Sequence, residues 1–228
     1  KKKKKLTIAY LDHWVNYKER FIYQGVLNLP DIIWVSDNYA FKFAKTIFPD
    51  TKIELKTNYY IENLKKSYSK LKKSIKDKNK KGLKVLFTAE NIRKHALLKY
   101  GDEKYWGYTE EDAIKYFLKN INKINNNIKE IVIRPHPSDK IGKYEWALNN
   151  ELVSSISSEK SLIKDIANSD IIVGCESMAM IAALAVNKEV ISCIPPSGKK
   201  CSLPHKEIIN FVDLLEKSSN KLKKIIET

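Results

Sequence analysis

Short apolar runs alternate with longer amphipathic stretches along this chain, and this alternation constrains the fold more than any other feature. Runs such as KEIVIR (129–134) and DIIVG (170–174) suit strands that are buried on both faces, as in parallel sheets. Stretches with helical spacing follow them, for example residues 109–124, which Thr109 and Asp112 open as a capping box. The sequence therefore predicts an α/β protein with parallel sheets.

A polar, lysine-rich linker at 76–82 divides the predicted elements into two Rossmann-like domains. Residues 1–80 are predicted to form an N-terminal domain, and three strands are few for an independent domain. Such a domain either packs on the second one or is incomplete, and we expect that it is incomplete. Residues 81–228 are predicted to form a doubly wound domain of about five parallel strands. The predicted strands lie at 6–10, 31–36 and 52–56, then at 83–89, 129–134, 152–157, 170–174 and 189–195. The first predicted helix has Asp37 or Asn38 as its N-cap. The other predicted helices lie at 60–76, 109–124, 143–150, 161–169, 177–187 and 205–227.

The net charge of +15 comes mainly from lysine, since only three of the 42 basic residues are arginine. Proteins that read nucleic acid favour arginine for its bidentate fork, so no nucleic-acid partner is predicted. The lysines cluster in amphipathic runs such as residues 63–82, a pattern that is typical of a solvated helix face. The alternative is that this basic surface rests on an anionic membrane.

Several classes of protein are excluded by motifs that the sequence lacks. No apolar run approaches the length of about 18–20 residues that spans a bilayer, and no secretory apolar segment follows the first lysines. The three cysteines form no CxxC pair, so a cytoplasmic location is expected, either free or peripheral to the inner membrane. Walker A, G-x-G-x-x-G and G-x-S-x-G motifs are absent, and the four histidines lack metal-binding spacing. Neither a metal nor a cofactor is predicted.

The residues that follow the predicted strands are the first candidates for a binding site, because ligands of open α/β sheets bind outside the carboxyl ends of the strands. Three such exits in the second domain carry groups that are suited to binding an anion or a sugar. The residues at these exits that are predicted to bind a ligand are Thr88, Glu90, Arg134, His136, Pro137, Gly174, Glu176 and Ser177. Three further polar residues lie at the same exits without an assigned role: Asn91, Ser138 and Asp139.

The stretch IRPHPSD (133–139) places a histidine between two prolines at the end of a strand. Because proline fixes its own φ, this loop is expected to be stiff and to hold His136 near a nucleotide or its phosphates. Arg134 would either neutralise charge or brace the loop. The alternative is an ordinary strand end with a loop histidine and a surface arginine.

The stretch DIIVGCESMAM (170–180) runs from a buried strand into a helix of small apolar residues. The N-terminus of that helix and the Ser177 hydroxyl are suited to binding phosphate, and Gly174 lets a backbone approach closely. Glu176 would repel phosphate and fits better as an acceptor for sugar hydroxyls. The alternative is that Ser177 is only an N-cap and that Glu176 only favours the helix dipole.

The stretch LDHWVNYKERF (11–21) is the candidate catalytic segment of the first domain. Asp12 and His13 follow a strand and could supply a general base, with Trp14 as a surface for stacking a sugar. The alternative is a helix start that Asp12 caps, with Trp14 and Tyr17 in the core and Arg20 in an ion pair.

The motifs IRPHPSD and ANSDIIVGCESMAMIAALAVNKEVISCIPP resemble the C-terminal donor half of two-domain (GT-B) glycosyltransferases, over roughly residues 83–200. The His-Pro and Ser pair is similar to that of bacterial sialyltransferases and of related enzymes that use CMP-activated nonulosonic or Kdo-type sugars. The resemblance implies that His136 and Pro137 contact the nucleotide and that Ser177 contacts the phosphate. It also implies an acidic base in the first domain, for which Asp12 is the nearest candidate.

The resemblance implies a metal-independent glycosyltransferase that acts in the synthesis of cell-envelope polysaccharide. The expected partners are a CMP- or UDP-linked nucleotide-sugar donor and a surface glycan or glycolipid acceptor. Two alternatives remain open: a nucleotide-sugar epimerase or hydrolase of the same fold, and a non-catalytic module that binds nucleotide-sugar. The epimerase or hydrolase would need a second carboxylate at the site and no acceptor.

Overall fold

The computed structural model describes residues 5–74, 82–123 and 127–226. By its internal contacts, the chain divides into two units. The first unit extends to Glu62 and includes Ser202–His205, and the second comprises Asn63–Cys201 and the chain from Lys206 onward. The predicted domain boundary between residues 80 and 81 lies outside the described residues.

The first unit contains a three-stranded parallel sheet and a short antiparallel hairpin. The sheet comprises β1 (Ile8–Leu11), β4 (Ile32–Val35) and β5 (Lys52–Leu55) in the order β1-β4-β5, and the hairpin comprises β2 (Ile22–Tyr23) and β3 (Val26–Leu27). Helix α1 (Asn38–Ile47) begins at the predicted cap, where the Asp37 carboxylate accepts the backbone N–H of Ala40 at 2.7 Å. Helix α2 (Tyr59–Ser74) crosses the division between the units.

The helix considered at LDHWVNYKERF is absent, and bends and a 3₁₀ turn at Glu19–Phe21 take its place. Asn16 interrupts the segment with φ of 57°, a left-handed conformation that a right-handed helix cannot include. The interpretation of Asp12 as a helix cap is therefore wrong.

The second unit contains a six-stranded sheet in which every pairing is parallel, one strand more than the five expected. Its strands are β6 (Leu83–Thr88), β7 (Ile128–Arg134), β8 (Val153–Ile156), β9 (Ile171–Gly174), β10 (Glu189–Ser192) and the two-residue β11 (Ile209–Asn210). Its further helices are α3 (Ile92–Tyr100), α4 (Glu110–Asn120), α5 (Leu162–Ala167), α6 (Met178–Leu184) and α7 (Phe211–Ile226). The capping box at Thr109 and Asp112 is confirmed, with both reciprocal bonds present. The helix predicted at 143–150 is a 3₁₀ turn at Glu145–Asn149.

The strand order of the second unit is β8-β7-β6-β9-β10-β11. Numbered within the unit, this order is 3-2-1-4-5-6, which is that of dinucleotide-binding Rossmann sheets. Strands β7 and β8 follow β6 on one side of the sheet. Strand β9 then pairs with the other side of β6, and β10 and β11 continue from it. The point of reversal lies between β6 and β9, and ligands of such sheets bind at the carboxyl ends of the two strands that flank it.

The two strands at the reversal are buried on both faces. Residues 85–87 of β6 and 171–173 of β9 are each at most 7% exposed, because helices cover both sides of the sheet. The fold-class prediction of an α/β protein with Rossmann-like parallel sheets in two units is confirmed.

Candidate functional site

The exits of β7, β6 and β9 lie side by side at one edge of the second unit's sheet. Thr88 pairs with Arg134 at the end of β6, and Phe87 pairs with Val173 one residue earlier. The three predicted groups of donor-binding residues therefore follow adjacent strands at the same edge.

The hydroxyl groups of Thr88 and Ser177 lie 3.2 Å apart across the point of strand reversal. The Thr88 hydroxyl donates a hydrogen bond to the backbone carbonyl of Val173 at 3.1 Å. In the bond between the two hydroxyls, Ser177 is therefore the donor and Thr88 the acceptor. Ser177 occupies the N-cap position of α6, but its side chain makes no capping bond. Its proton can therefore turn from Thr88 toward a ligand without uncapping the helix.

Gly174 is required by the protein's own packing. A Cβ at this position would lie 2.7 Å from Thr88 Oγ1 and 3.1 Å from Met180 Sδ. The backbone of β9 therefore approaches β6 and α6 more closely than any larger residue would permit. The close approach of a ligand at Gly174 stays a prediction.

Glu90 binds the loop between β9 and α6. One of its carboxylate oxygens accepts the backbone N–H groups of Cys175 at 2.9 Å and Glu176 at 2.8 Å. Burial raises the pKa of Glu90 to about 7, although these two hydrogen bonds act to lower it. The loop amides that could have bound a ligand phosphate are therefore occupied by an internal carboxyl group.

Glu176 forms an ion pair with Lys199, whose ammonium lies 2.6 Å from Glu176 Oε1. The same ammonium lies 4.9 Å from the centre of the Trp106 ring, and the Lys199 backbone N–H donates to the Trp106 carbonyl. The carboxylate is thus held beside the exit of β9 together with a cation.

His136 is exposed, and both its backbone and one ring nitrogen are held in place. Its backbone N–H donates to Asp139 at 2.9 Å, and its Nδ1 lies 2.9 Å from the Ser138 hydroxyl and 3.2 Å from the Ser138 backbone nitrogen. Asp139 also accepts hydrogen bonds from Tyr144 at 3.0 Å and Lys143 at 2.6 Å. These hydrogen bonds hold the RPHP loop in place, and the stiffness expected from its prolines stays a prediction.

Arg134 is committed to protein contacts. Its guanidinium donates to the Asp165 carboxylate at 2.5 Å and to the carbonyls of Glu159 at 2.7 Å and Lys160 at 3.3 Å. The Arg134 and Asp165 side chains are 15% and 13% exposed. These contacts favour the bracing of a loop over the neutralisation of ligand charge as the role of Arg134.

In the first unit, Asp12 follows β1 and accepts a hydrogen bond from Arg20 at 2.9 Å. Partial burial acts to raise the pKa of Asp12, but the bond from Arg20 and the nearby His13 outweigh it and hold the pKa below its ordinary value. His13 Nε2 lies 3.9 Å from the Asp12 carboxylate. Both side chains are exposed, at 56% for Asp12 and 42% for His13.

The expected stacking surface at Trp14 is wrong. Trp14 is buried, its Nε1–H donates to the Asp37 carboxylate at 2.9 Å, and its ring packs edge-on against His205. Tyr17 is buried as well, so the interpretation of both rings as core residues is confirmed.

Three residues at the strand exits contact the site but received no role from the sequence: Asn91, Ser138 and Asp139. Asn91 donates from its side-chain amide to the Ser138 hydroxyl at 2.9 Å and so connects the exit of β6 with that of β7. Their position after a strand was the signal for all three, and Ser138 and Asp139 also belong to the motif IRPHPSD.

An open depression of about 350 Å³ lies elsewhere on the second unit and includes none of the predicted site residues. Its lining residues are Lys115, Leu118, Lys119, Trp146, Ala147, Asn149 and Asn150. In the described ranges, no three side chains of His, Cys, Asp or Glu are grouped so that they could hold a metal ion. None of the helices in the described part of the chain is both long and apolar enough to cross a membrane.

No family model and no curated protein matches this chain. Solved structures that are similar to parts of it include the following two, each with a TM-score of 0.39. The beta Kdo 2,7 transferase KpsC of Thermosulfurimonas dismutans is 15% identical, over 68% of this chain and 47% of that chain. The wall teichoic acid polymerase TagF is 12% identical, over 86% of this chain and 53% of that chain. This chain therefore spans about half the length of both.

Proposed function

We propose that the second unit binds the nucleotide-sugar donor of a glycosyltransferase at the carboxyl ends of β6, β7 and β9. The observation that carries this proposal is the pair of hydroxyls, Thr88 and Ser177, at the point where the strand order reverses. This is the place where Rossmann sheets bind nucleotides. The resemblance of IRPHPSD and GCES to donor-half motifs supports the same assignment.

The roles of the site residues follow from the groups that remain available to a ligand. Ser177 donates to the donor phosphate, and His136 and Pro137 contact the nucleotide. Glu176, with Lys199 beside it, hydrogen-bonds hydroxyl groups of the sugar. Arg134 and Glu90 act on the site indirectly, because their polar groups are bound to loop 159–160 and to the β9–α6 loop.

The proposed reaction forms a bond between an acceptor oxygen and the anomeric carbon and breaks the bond from that carbon to the donor phosphate. The electron pair leaves with the phosphate, whose charge the Ser177 hydroxyl and His136 stabilise. The acceptor's proton passes to a carboxylate or imidazole, for which Asp12 and His13 are the proposed groups. Asp12 is ionised at neutral pH and can accept a proton, although its lowered pKa and its bond from Arg20 make it a weak base.

The proposed donor is CMP- or UDP-linked, and the proposed acceptor is a glycan or glycolipid of the cell envelope. Exposed lysines on α2 supply a basic surface that suits contact with the inner membrane from the cytoplasmic side. These lysines are Lys65, Lys66, Lys70, Lys72 and Lys73. No metal, cofactor or nucleic acid takes part in the proposed reaction.

A thermal-shift panel of CMP, UDP, GDP and ADP tests the proposal. A nucleotide present at 100 times its Kd should raise the melting temperature by about 5–10 °C. The shift should shrink strongly in Ser177→Ala and His136→Ala and persist in Ser155→Ala, an exposed serine on β8 that serves as the matched control. Absence of a shift with all four nucleotides would refute the donor site.

The nucleotide-sugar hydrolase or epimerase is the second candidate, and the presence of two carboxyl groups at the β9 exit favours it. Glu90 has a raised pKa and could serve as an acid, while Glu176 is paired with a cation. Incubating the protein with a CMP- or UDP-sugar in the absence of acceptor separates the candidates. Rapid release of free or epimerised sugar that is lost in Glu90→Gln would favour the second candidate over transfer.

A further inference from the structure

We propose that Asn91 and Ser138 hold neutral His136 in the tautomer that carries its proton on Nε2, so that His136 acts as a hydrogen-bond donor to a phosphate oxygen of the bound nucleotide. The ligand in this inference rests on the proposed function, whereas the tautomer is a property of the free protein.

Two donors converge on Nδ1 of His136. The backbone N–H of Ser138 donates to Nδ1 at 3.2 Å, and a backbone N–H can only donate. The Ser138 hydroxyl lies 2.9 Å from the same nitrogen and receives the side-chain amide of Asn91 at 2.9 Å. Because Nδ1 accepts from the backbone N–H, the hydroxyl that accepts from Asn91 can only direct its own proton at Nδ1. A proton on Nδ1 would face the backbone N–H, so the proton of the neutral ring lies on Nε2.

The hydrogen bonds from Asn91 to Ser138 and from Ser138 to His136 form a relay, and its side chains have no competing role. Asn91 stands at the N-cap of α3, but its side chain makes no capping bond. The loop that carries His136 and Ser138 is fixed by Asp139, which accepts the His136 backbone N–H and the Tyr144 hydroxyl. Because the backbone on both sides of the ring is held, the direction of the Nε2–H is set before a ligand arrives.

The tautomer decides what His136 offers to a ligand. An Nε2–H group stabilises the negative charge that collects on a departing phosphate, whereas an unprotonated Nε2 would present a lone pair and repel it. Asn91 and Ser138 are therefore positioning residues, which act on the ligand only through the imidazole.

Long-range ¹H–¹⁵N correlation spectra of the labelled protein at pH 8 test the tautomer directly. The chain has four histidines, and the signal of His136 is identified by its loss in His136→Gln. We expect nitrogen shifts typical of a protonated Nε2 and an unprotonated Nδ1. Ser138→Ala should lower the ratio of the Nε2-protonated to the Nδ1-protonated tautomer about five-fold, since it removes one hydrogen bond to Nδ1.

Asn91→Asp provides the sharper variant, because it is isosteric and reverses the relay. A carboxylate accepts the Ser138 hydroxyl proton, so the hydroxyl can then accept from Nδ1, and the ring should shift toward protonation at Nδ1. Asn149→Asp, which adds the same charge at an exposed position, is the matched control and should leave the His136 signal unchanged. A wild-type ring protonated on Nδ1, or an unchanged ring in Asn91→Asp, would overturn the inference.

Binding measurements separate this inference from the proposed function. Ser138→Ala should weaken the binding of CMP or UDP about five-fold and leave the much weaker binding of cytidine or uridine unchanged, because only the nucleotides carry phosphate. Equal losses for nucleotide and nucleoside would overturn the phosphate contact. A protein that shows the Nε2 tautomer but binds neither nucleotide would overturn the proposed function and keep the relay.

Discussion

Substituting Gly174 by alanine should destabilise the second unit by about 2–3 kcal/mol through a clash with one identified atom. The added Cβ would lie 2.7 Å from Thr88 Oγ1, which must retreat by roughly 0.7 Å to reach the 3.4 Å of ordinary contact. That retreat strains the packing by about 1–3 kcal/mol and weakens the bond from Thr88 to the Val173 carbonyl, worth about 1 kcal/mol. Alanine also reduces the conformational entropy of the unfolded chain, which stabilises the folded state by about 0.4–1 kcal/mol.

The clash predicts a specific rescue by Thr88→Ala, which removes the opposing oxygen. In that background, the next nearest atoms to the added Cβ are the Met180 sulfur at 3.1 Å and Met180 Cγ at 3.2 Å, and this flexible side chain can yield. The cost of Gly174→Ala should fall to about 1 kcal/mol or less. The coupling between the two substitutions would then be about 1–2 kcal/mol in the double-mutant cycle.

Urea denaturation of the four proteins, followed by circular dichroism, measures this coupling. Gly101→Ala is the matched control: its Cβ would meet no atom within 4 Å, and its cost arises from a φ of +73° alone. That cost should be the same with and without Thr88→Ala. If Gly174→Ala costs the same in both backgrounds within about 0.5 kcal/mol, the steric reasoning is refuted.

Three further predictions concern charged groups. Burial raises the pKa of Glu90 to about 7 from 4.5, so its contribution to stability is present at pH 4 and is lost as the pH rises through 7; Glu90→Gln should match wild type at pH 4 and exceed it by about 2–3 kcal/mol at pH 8 in urea denaturation. Asp165→Asn should lower the free energy of unfolding by about 3–5 kcal/mol because it leaves the Arg134 guanidinium without its anion. Adding Arg134→Met should recover much of that loss, and a double variant that is as unstable as Asp165→Asn alone would contradict the ion-pair account. Reversing Lys72 and Lys73 to glutamate should weaken sedimentation with anionic vesicles at least ten-fold while the nucleotide thermal shift persists, and unchanged sedimentation would count against membrane contact through α2.

The parallel sheets could be predicted because their strands are continuous apolar runs, which few other structures require. Strands β6, β7 and β9 lie within two residues of the expected ranges. Helix α3 was not predicted, since its apolar residues do not form a stripe with helical spacing and its N-cap side chain makes no capping bond. Strand β11 has two residues, too few to give a periodic signal.

The candidate site was predicted only in part, because sequence position does not reveal where side-chain protons go. That Ser177 and His136 follow neighbouring strands could be predicted from the order of motifs. The use of Arg134 as a brace depends on Asp165, which lies 31 residues away along the chain. The occupation of the β9–α6 amides by Glu90 involves a separation of 85 and 86 residues. Such pairings follow from the strand order, which the sequence does not encode locally.

The first strand of the second unit, β6, becomes its centre only after much more of the chain has been synthesised. One edge of β6 pairs with β7, but the other must wait for β9, which lies more than 80 residues downstream. Until the ribosome has released β9, this apolar strand has an open edge, which is prone to pairing with other chains. Truncations before residue 171 should therefore aggregate, and slowing translation beyond α4 should raise the demand for chaperones.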